Sequence, residues 1–271
     1  MIAIKSFLKL ILYKPLFNAL IFLVWLMPFH NVGLAIIILT IIIRLILLPS
    51  LLKATRQQKR MRDLQPEIAE IQKRYKDDRQ KQSQELMAFY KRNKVNPIGS
   101  CLPLLIQLPI LLILYYVFIN GLNTARFDLL YPFTPRPESI NTLFLGLDLA
   151  KPDRFILPLI AGVLQYFQSR QLMPQTKSDK GASGSTGQEM QAMIGKQMMY
   201  LMPVFTVIIS GRLPAALPLY WSVTTLFMIA QQWWVFRENP KSKSQISKLE
   251  TKEGPKTIIK KGVEVTVRRK K

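Results

Sequence analysis

Residues 34–53 have the sequence LAIIILTIIIRLILLPSLLK, an apolar run with a single arginine, Arg44, near its centre. Twenty helical residues at about 1.5 Å each cross the hydrocarbon core of a bilayer, so the run predicts a transmembrane span. Arg44 would lie roughly 14–15 Å from either end, which its side chain covers only in part. A charge left in lipid costs at least about 2.5–3.5 kcal/mol. We therefore expect Arg44 to face water or a substrate; the alternative is a structural arginine held by backbone carbonyls or a lipid phosphate.

The composition indicates a membrane protein with basic loops. The 271 residues are 49% hydrophobic and carry a net charge of +22, and the apolar residues come in blocks rather than in periodic stripes. Cys101 and His30 are the only residues of their kinds, which excludes a disulfide framework and a zinc or paired-histidine site within one chain. The sequence has no phosphate-binding loop motif. We expect no cofactor, no metal and no enzymatic activity.

Four further apolar runs complete the predicted architecture, which is an all-α polytopic membrane protein. We expect a core over residues 31–236, with five transmembrane helices, a cytoplasmic antiparallel helical hairpin and a hydrophilic groove. The spans after 34–53 are predicted at 101–120, 155–172, 196–210 and 215–236. The connecting segments are the hairpin 54–96, an outer loop 121–153, a Gly/Ser-rich cytoplasmic loop 173–195 and a basic tail 237–271 that composition predicts to be disordered.

The N-terminal residues 1–30 allow two interpretations. The apolar run Pro15–Phe29 is about 15 residues long, which is short for a span. This favours an amphipathic or re-entrant segment at the outer surface. The alternative is a true first span made of residues 1–28.

The hairpin 54–96 is strongly charged, with 12 Lys/Arg and 6 Asp/Glu. A turn at Asp77–Asp78 is predicted to separate two helices, and Pro66 to kink the first helix or start it. The first helix carries apolar residues at steps of three and four, and the second a shorter apolar face, which predicts a shared seam. These residues are Met61, Leu64, Ile68, Ile71 and Tyr75 on the first helix, and Leu86, Phe89 and Tyr90 on the second.

Charge predicts the orientation. The hairpin and the tail hold 24 of the 38 basic residues, and the loop 121–153 holds three. The positive-inside rule therefore places the hairpin and the tail in the cytoplasm and that loop outside.

Polar residues on four of the predicted spans are candidates for a shared hydrophilic cavity around Arg44. Thr40 shares its helix face, because the two are four residues apart. A lone Gln or Thr in a span commonly forms a hydrogen bond that joins two helices, and that interpretation stays open for each residue. The other candidates are Gln107, Gln165, Gln168, Tyr220, Trp221 and Thr224.

From about residue 14 to 236 the chain resembles the YidC-type membrane protein insertases, which are related to the mitochondrial Oxa and thylakoid Alb proteins. The resemblance rests on the span with Thr40 and Arg44 and on short motifs along the chain. These are Leu64-Gln-Pro66, Lys94-Val-Asn-Pro97, Leu104-Leu-Ile-Gln-Leu-Pro-Ile110, Ile156-Leu-Pro158, Met202-Pro203 and Leu219-Tyr220-Trp221.

The resemblance implies that the protein moves small membrane protein segments from the cytoplasm into the bilayer, without nucleotide hydrolysis. The groove would open to the cytoplasm and to lipid, and Arg44 would attract the acidic or polar N-terminal region of a substrate. Thr40, Gln165 and Trp221 are the other matching groove positions. The hairpin would receive substrates.

The resemblance further implies a multi-pass monomer in the bacterial plasma (inner) membrane, with nascent membrane proteins and lipids as partners. It leaves open whether the Sec translocon takes part and whether the tail contacts the ribosome. Two competing functions also stay open. A channel or transporter should show an intramembrane acid or inverted repeats, which the sequence lacks. A ribosome-docking membrane anchor would depend on the tail.

Overall fold

The computed structural model describes residues 9–96, 102–121, 129–173, 186–237, 257–260 and 263–266. Most of these residues are helical. A π-helical turn at Lys9–Tyr13 precedes the first α-helix, and a 3₁₀ turn at Pro28–His30 follows it. The α-helices are α1 (Lys14–Leu26), α2 (Val32–Asp63), α3 (Gln65–Arg74), α4 (Arg79–Arg92), α5 (Leu102–Gly121), α6 (Ile156–Leu172), α7 (Thr186–Ser210) and α8 (Ala216–Arg237).

Among the described residues, α2 alone is long and apolar enough by itself to cross a bilayer, with a mean hydropathy of 2.7 over its most apolar window. Shorter apolar helical stretches are Ile11–Leu26, Gln107–Ile119 and Met199–Ser210. Three helices begin and end within one residue of a predicted span, namely α5, α6 and α8.

Helix α2 extends ten residues beyond the predicted end of its span at residue 53. The side chain of Asn31 caps its start by accepting a hydrogen bond from the backbone N–H of Leu34 at 3.1 Å. Residues 54–63 contain neither glycine nor proline, so nothing stops the helix there. The helix is interrupted at Leu64, and Pro66 lies in the first turn of α3. Pro66 was predicted either to kink a helix or to start one, and in the structure it starts one.

The hairpin α3–α4 has its own apolar core. Leu64, Ile68, Phe89 and Val95 are buried there, and Met61, Ile71, Leu86 and Tyr90 pack against them. The predicted seam is thus confirmed, except that Tyr75 lies outside the cluster, at the turn where α3 ends. The predicted turn is also confirmed: Asp78 caps α4 by accepting from the backbone N–H of Lys81 at 2.9 Å.

Two further predictions, besides the end of the first span, differ from the structure. Helix α7 begins at Thr186, inside the predicted loop 173–195, because Gln188–Gly195 contains no proline and continues the helical register of the apolar run. The remainder of that loop, 174–185, lies outside the described residues, as do 97–101 and 122–128. In the tail, β3 (Thr257–Lys260) and β4 (Val263–Thr266) pair antiparallel, where disorder was predicted. Their β-branched residues favour strands.

The helices meet at two ends. At the loop end, the backbone of Val32 bonds to Asn141, and the backbone N–H groups of Ala215 and Ala216 donate to the carbonyls of Lys151 and Leu149. Here β1 (Leu143–Phe144) and β2 (Leu147–Asp148) form a short hairpin. The ring of Phe144 lies so close to Gly33 that a side chain on that glycine would collide with it. At the hairpin end, the last turns of α2 meet the C-terminal ends of α6 and α8.

The main apolar core lies toward the loop end. It combines residues of α1, α2, α5 and the start of α8 with Leu149 and Leu157. Its largest fully buried side chains include Phe17, Leu20, Ile36 and Leu114. The core therefore holds the N-terminal helix and three longer helices together at one end.

Asn18 ties α1 to the loop that follows α5. Its buried side chain accepts hydrogen bonds from the backbone N–H of Tyr131 at 2.7 Å and the hydroxyl of Thr134 at 2.9 Å. Its amide nitrogen donates to the carbonyl of Leu129 at 3.2 Å. The ammonium of Lys14 lies 4.9 Å from the centre of the Tyr131 ring.

We expect Asn18→Ala to destabilise the protein by about 2–4 kcal/mol, because it leaves the buried groups of Tyr131 and Thr134 without their acceptor. Thermal unfolding in detergent measures the change. Gln84→Ala, at an exposed position of α4, is the matched control and should stay near wild type. Equal stability of the two variants would contradict the importance of this contact.

Candidate functional site

Arg44 takes part in a chain of hydrogen bonds that joins three helices. It is buried, with 5% of its surface exposed. Its Nη2 donates to Oε1 of Gln107 on α5 at 2.8 Å. Nε2 of Gln107 donates to the hydroxyl of Tyr220 on α8 at 2.7 Å. Helices α2, α5 and α8 therefore meet at one polar point.

The direction of this chain follows from the donor Arg44. A guanidinium only donates, so the atom of Gln107 that faces it must be the amide oxygen. The amide nitrogen of Gln107 must then donate to Tyr220. The Tyr220 oxygen is the acceptor in that bond, and the buried hydroxyl of Thr224, one turn later, also interacts with it. The donors that suit a ligand with carbonyl or carboxylate oxygens are therefore those of the Arg44 guanidinium.

The space beside these groups is small. A cavity of about 10 Å³ lies between α2, α5 and α8, close to the lower limit for one water molecule. Both apolar and polar side chains line the cavity. The lining residues are Thr40, Ile43, Arg44, Leu47, Leu51, Gln107, Ile110 and Tyr220. A polypeptide segment would fit only if the helices separated.

No acidic side chain forms an ion pair with Arg44 in the part of the chain that the structure describes. The neighbour that accepts its hydrogen bond is a neutral amide. A buried charge held by neutral groups keeps its attraction for an anion, since no opposite charge cancels it. Arg44 is therefore equipped to bind an acidic group that enters the site.

The structure brings together four of the predicted site residues and separates three others from them. Thr40, Gln107 and Tyr220 share the cavity with Arg44. The Thr40 hydroxyl donates to the carbonyl of Ile36 at 2.6 Å, so its oxygen can still accept. Thr224 is buried one turn after Tyr220.

Gln165, Gln168 and Trp221 are half-buried and do not line this cavity. Gln165 and Gln168 lie on α6, and Trp221 is next to Tyr220 on α8, so its side chain points to another side of that helix. The amide oxygen of Gln165 is buried without a hydrogen-bond partner among the described residues. A role for these three in a wider groove stays a prediction.

Sequence reasoning missed a second group of polar contacts, at the hairpin end. Thr55 and Gln231 bond to each other at 2.7 Å, and the cations Lys59 and Arg62 bond to the carbonyls of Val235 and Gln171. The sequence spacing of Arg44 and Arg62 contained a signal for this second group. Arg62 follows Arg44 by five helical turns, at about 3.6 residues each, and so lies on the same face of α2.

The comparison with known proteins identifies the family. The family described as 60Kd inner membrane protein matches residues 25–243. The chain belongs to the YidC family. The protein named membrane protein insertase YidC from Fusobacterium nucleatum is 35% identical to this chain over 209 residues, which cover 77% of this chain and 87% of the relative.

Two clostridial YidC proteins are also similar to this chain. The one from Clostridium perfringens is 39% identical over 202 residues, covering 74% of this chain and 76% of the relative. The one from Clostridium tetani is 39% identical over 206 residues, covering 75% of this chain and 81% of the relative. The chain is therefore a mostly helical membrane protein of the YidC family, as the motifs predicted.

We expect Gln107→Leu to destabilise the protein by about 2–3 kcal/mol, because it leaves the buried guanidinium of Arg44 without its acceptor. A double-mutant cycle with Arg44→Leu, followed by thermal unfolding in detergent, measures the coupling. The double variant should cost less than the sum of the two single variants. Additive losses would mean that the two side chains do not support each other.

Proposed function

We propose that this protein is a membrane protein insertase and chaperone that moves small membrane protein segments from the cytoplasm into the bilayer through a lipid-open hydrophilic groove. The observation that carries the proposal is the buried Arg44, which bonds to the neutral amide of Gln107 and has no acidic partner among the described residues. The names of the relatives support it.

The proposed groove belongs to a bundle of five transmembrane helices, α2, α5, α6, α7 and α8. The contacts support this topology, because α2, α6 and α8, the first, third and fifth of these helices, run in the same direction. The starts of α2, α6 and α8 lie at the loop end, and the later parts of α2, α6 and α8 meet at the hairpin end. The positive charge of the hairpin makes the hairpin end the cytoplasmic one.

Helix α1 would then lie at the outer surface rather than cross the bilayer. Its N-terminal half bonds to Leu129 and Tyr131 in the loop after α5. The turn that follows α1 bonds to the same loop, between His30 and Asn141. Both ends of α1 thus contact one loop, which supports the surface segment over a span made of residues 1–28.

In the proposed mechanism, Arg44 supplies an attractive charge within the membrane, and the donors beside it replace water around a polar or acidic segment. The driving force is the burial of the apolar part of the substrate, at about 0.8 kcal/mol per CH₂ group, so that nucleotide hydrolysis is not needed. The small cavity implies that the helices separate for each substrate. The proposed partners are nascent membrane proteins and lipids, with the Sec translocon and the ribosome joining some reactions, and the active unit is a monomer.

The direct test places the purified protein in liposomes and follows a small single-span substrate by protection from added protease. Protection that depends on the protein and needs no nucleotide is the expected result. Empty liposomes give the background. Protection no greater than that background would overturn the proposal.

We expect Arg44→Ala to slow the insertion of a substrate with an acidic N-terminal region by about tenfold, the equivalent of one lost charge-assisted hydrogen bond. A neutral version of the same substrate should slow much less. Arg154→Ala removes an exposed arginine at the loop end and is the matched control. Equal slowing of both substrates would remove the electrostatic part of the mechanism.

The position of α1 can be measured by cysteine labelling after Cys101→Ser. We expect Ile11→Cys and Phe29→Cys, both exposed positions in the turns that flank α1, to react with a membrane-impermeant maleimide added outside intact cells. Met87→Cys in the hairpin should react only after permeabilisation. Protection of Ile11→Cys alone would mean that α1 crosses the bilayer.

A further inference from the structure

Helix α2 carries polar and cationic side chains along one face from Thr40 to Arg62. Arg44, Thr55 and Arg62 follow each other at steps of eleven and seven residues, so each lies within a small rotation of the next. Arg44 and Arg62 are about 27 Å apart along the axis. Lys59 lies one turn before Arg62, on a neighbouring part of this face. The face therefore has one cation within the bundle and two at the hairpin end.

Both cations at the hairpin end bind the C-terminal ends of other helices. Nζ of Lys59 donates to the carbonyl of Val235, in the last turn of α8, at 3.0 Å. Nη1 of Arg62 donates to the carbonyl of Gln171, in the last turn of α6, at 3.0 Å. The carbonyls in the last turn of a helix accept no hydrogen bond from their own helix. A cation near them stabilises the helix end, because it interacts favourably with the helix dipole. Lys59 and Arg62 thus hold α6 and α8 against α2.

Nη2 of Arg62 also lies 3.4 Å from Oδ1 of the exposed Asp63, so one carboxylate already shares this site, and Lys59, Arg62 and Asp63 together keep a net charge of +1. The bonds to the carbonyls of Val235 and Gln171 are still exchangeable for stronger ones. A carboxylate forms shorter and stronger hydrogen bonds with a cation than a neutral carbonyl does. Some buried polar atoms around these contacts also have no hydrogen-bond partner among the described residues. Thr55 donates to the carbonyl of Leu51 and therefore accepts from the amide nitrogen of Gln231. This fixes the orientation of that amide, and its buried oxygen has no partner among the described residues; the same holds for the amide oxygen of Gln232.

We propose that Lys59 and Arg62 form a first binding site for acidic side chains of an incoming segment, at the cytoplasmic mouth of the groove. A carboxylate that binds there draws the two cations away from the carbonyls of Val235 and Gln171. The ends of α6 and α8 are then free to move from α2, and the unpaired amide oxygens of Gln231 and Gln232 gain water or peptide N–H donors. The segment next reaches Arg44 on the same face. This inference rests on the proposed insertase function.

The test compares initial insertion rates of two single-span substrates that differ only in an acidic or a neutral N-terminal region, with the full-length protein in liposomes. We expect Lys59→Gln with Arg62→Gln to lower the ratio of the acidic to the neutral rate by about tenfold. The salt dependence of the acidic rate should weaken as well, because the lost charges were screened by salt. The matched control is Lys53→Gln with Arg60→Gln, which removes one lysine and one arginine from exposed positions on the opposite side of α2; its ratio should equal that of wild type.

A purely structural role for the two cations predicts different results. Arg62→Glu should reverse the preference, slowing the acidic substrate and favouring one with a basic N-terminal region, which loss of structure would not do. Arg62→Lys keeps the charge and should keep most of the preference, and it remains informative if the double variant fails to fold. An unchanged ratio in the double variant, or Arg62→Glu without reversal, would overturn the inference. Absence of insertion of the neutral substrate by the wild-type protein would instead overturn the proposed function.

Discussion

A guanidinium buried among apolar helices must find hydrogen-bond acceptors, and this constraint organises the middle of the protein. Arg44 meets it with the amide oxygen of Gln107, and Gln107 in turn requires the hydroxyl of Tyr220. One residue from each of three helices is thereby fixed relative to the others. Since the partner is neutral, the charge of Arg44 is stabilised without being cancelled. The same arrangement holds the bundle together and leaves it able to attract an anion.

The two ends of the bundle differ in what holds them closed. At the loop end, a continuous apolar core and backbone hydrogen bonds from the loop join α1, α2 and α8. At the hairpin end, polar contacts of Thr55, Lys59 and Arg62 connect the helices, and buried amide oxygens nearby are unpaired. Between membrane helices the core is held by close packing rather than by exclusion of water, and separating it loses those van der Waals contacts, whereas polar contacts can be exchanged for bonds to water or a ligand. A polar ligand can therefore open the hairpin end more easily than the loop end, which is what the proposed groove requires.

The sequence predicted the helices well because their signals are local. The ends of α5, α6 and α8 follow from where apolar runs stop, and the hairpin seam follows from apolar spacing at three and four residues. Prediction did less well where a boundary lacked a strong signal. Helix α2 continues to Asp63 because no breaker stands between residue 53 and Pro66, although the charge changes abruptly there. Charge marks where a helix leaves the membrane, while only glycine, proline or a cap marks where it ends.

By itself, the sequence determined that the chain is a helical membrane protein of the YidC type, with an arginine in the middle of an apolar span and a basic hairpin. These properties depend on composition, periodicity and short motifs, which need no knowledge of distant contacts. Only the tertiary structure decided which polar residues meet Arg44: it placed Gln107 and Tyr220 there and Gln165, Gln168 and Trp221 elsewhere. It also decided that Asn18 joins α1 to the loop after α5, and that Lys59 and Arg62 bind the ends of α8 and α6. The reason is that these contacts join residues more than 60 positions apart, so they depend on how the helices pack rather than on any local pattern.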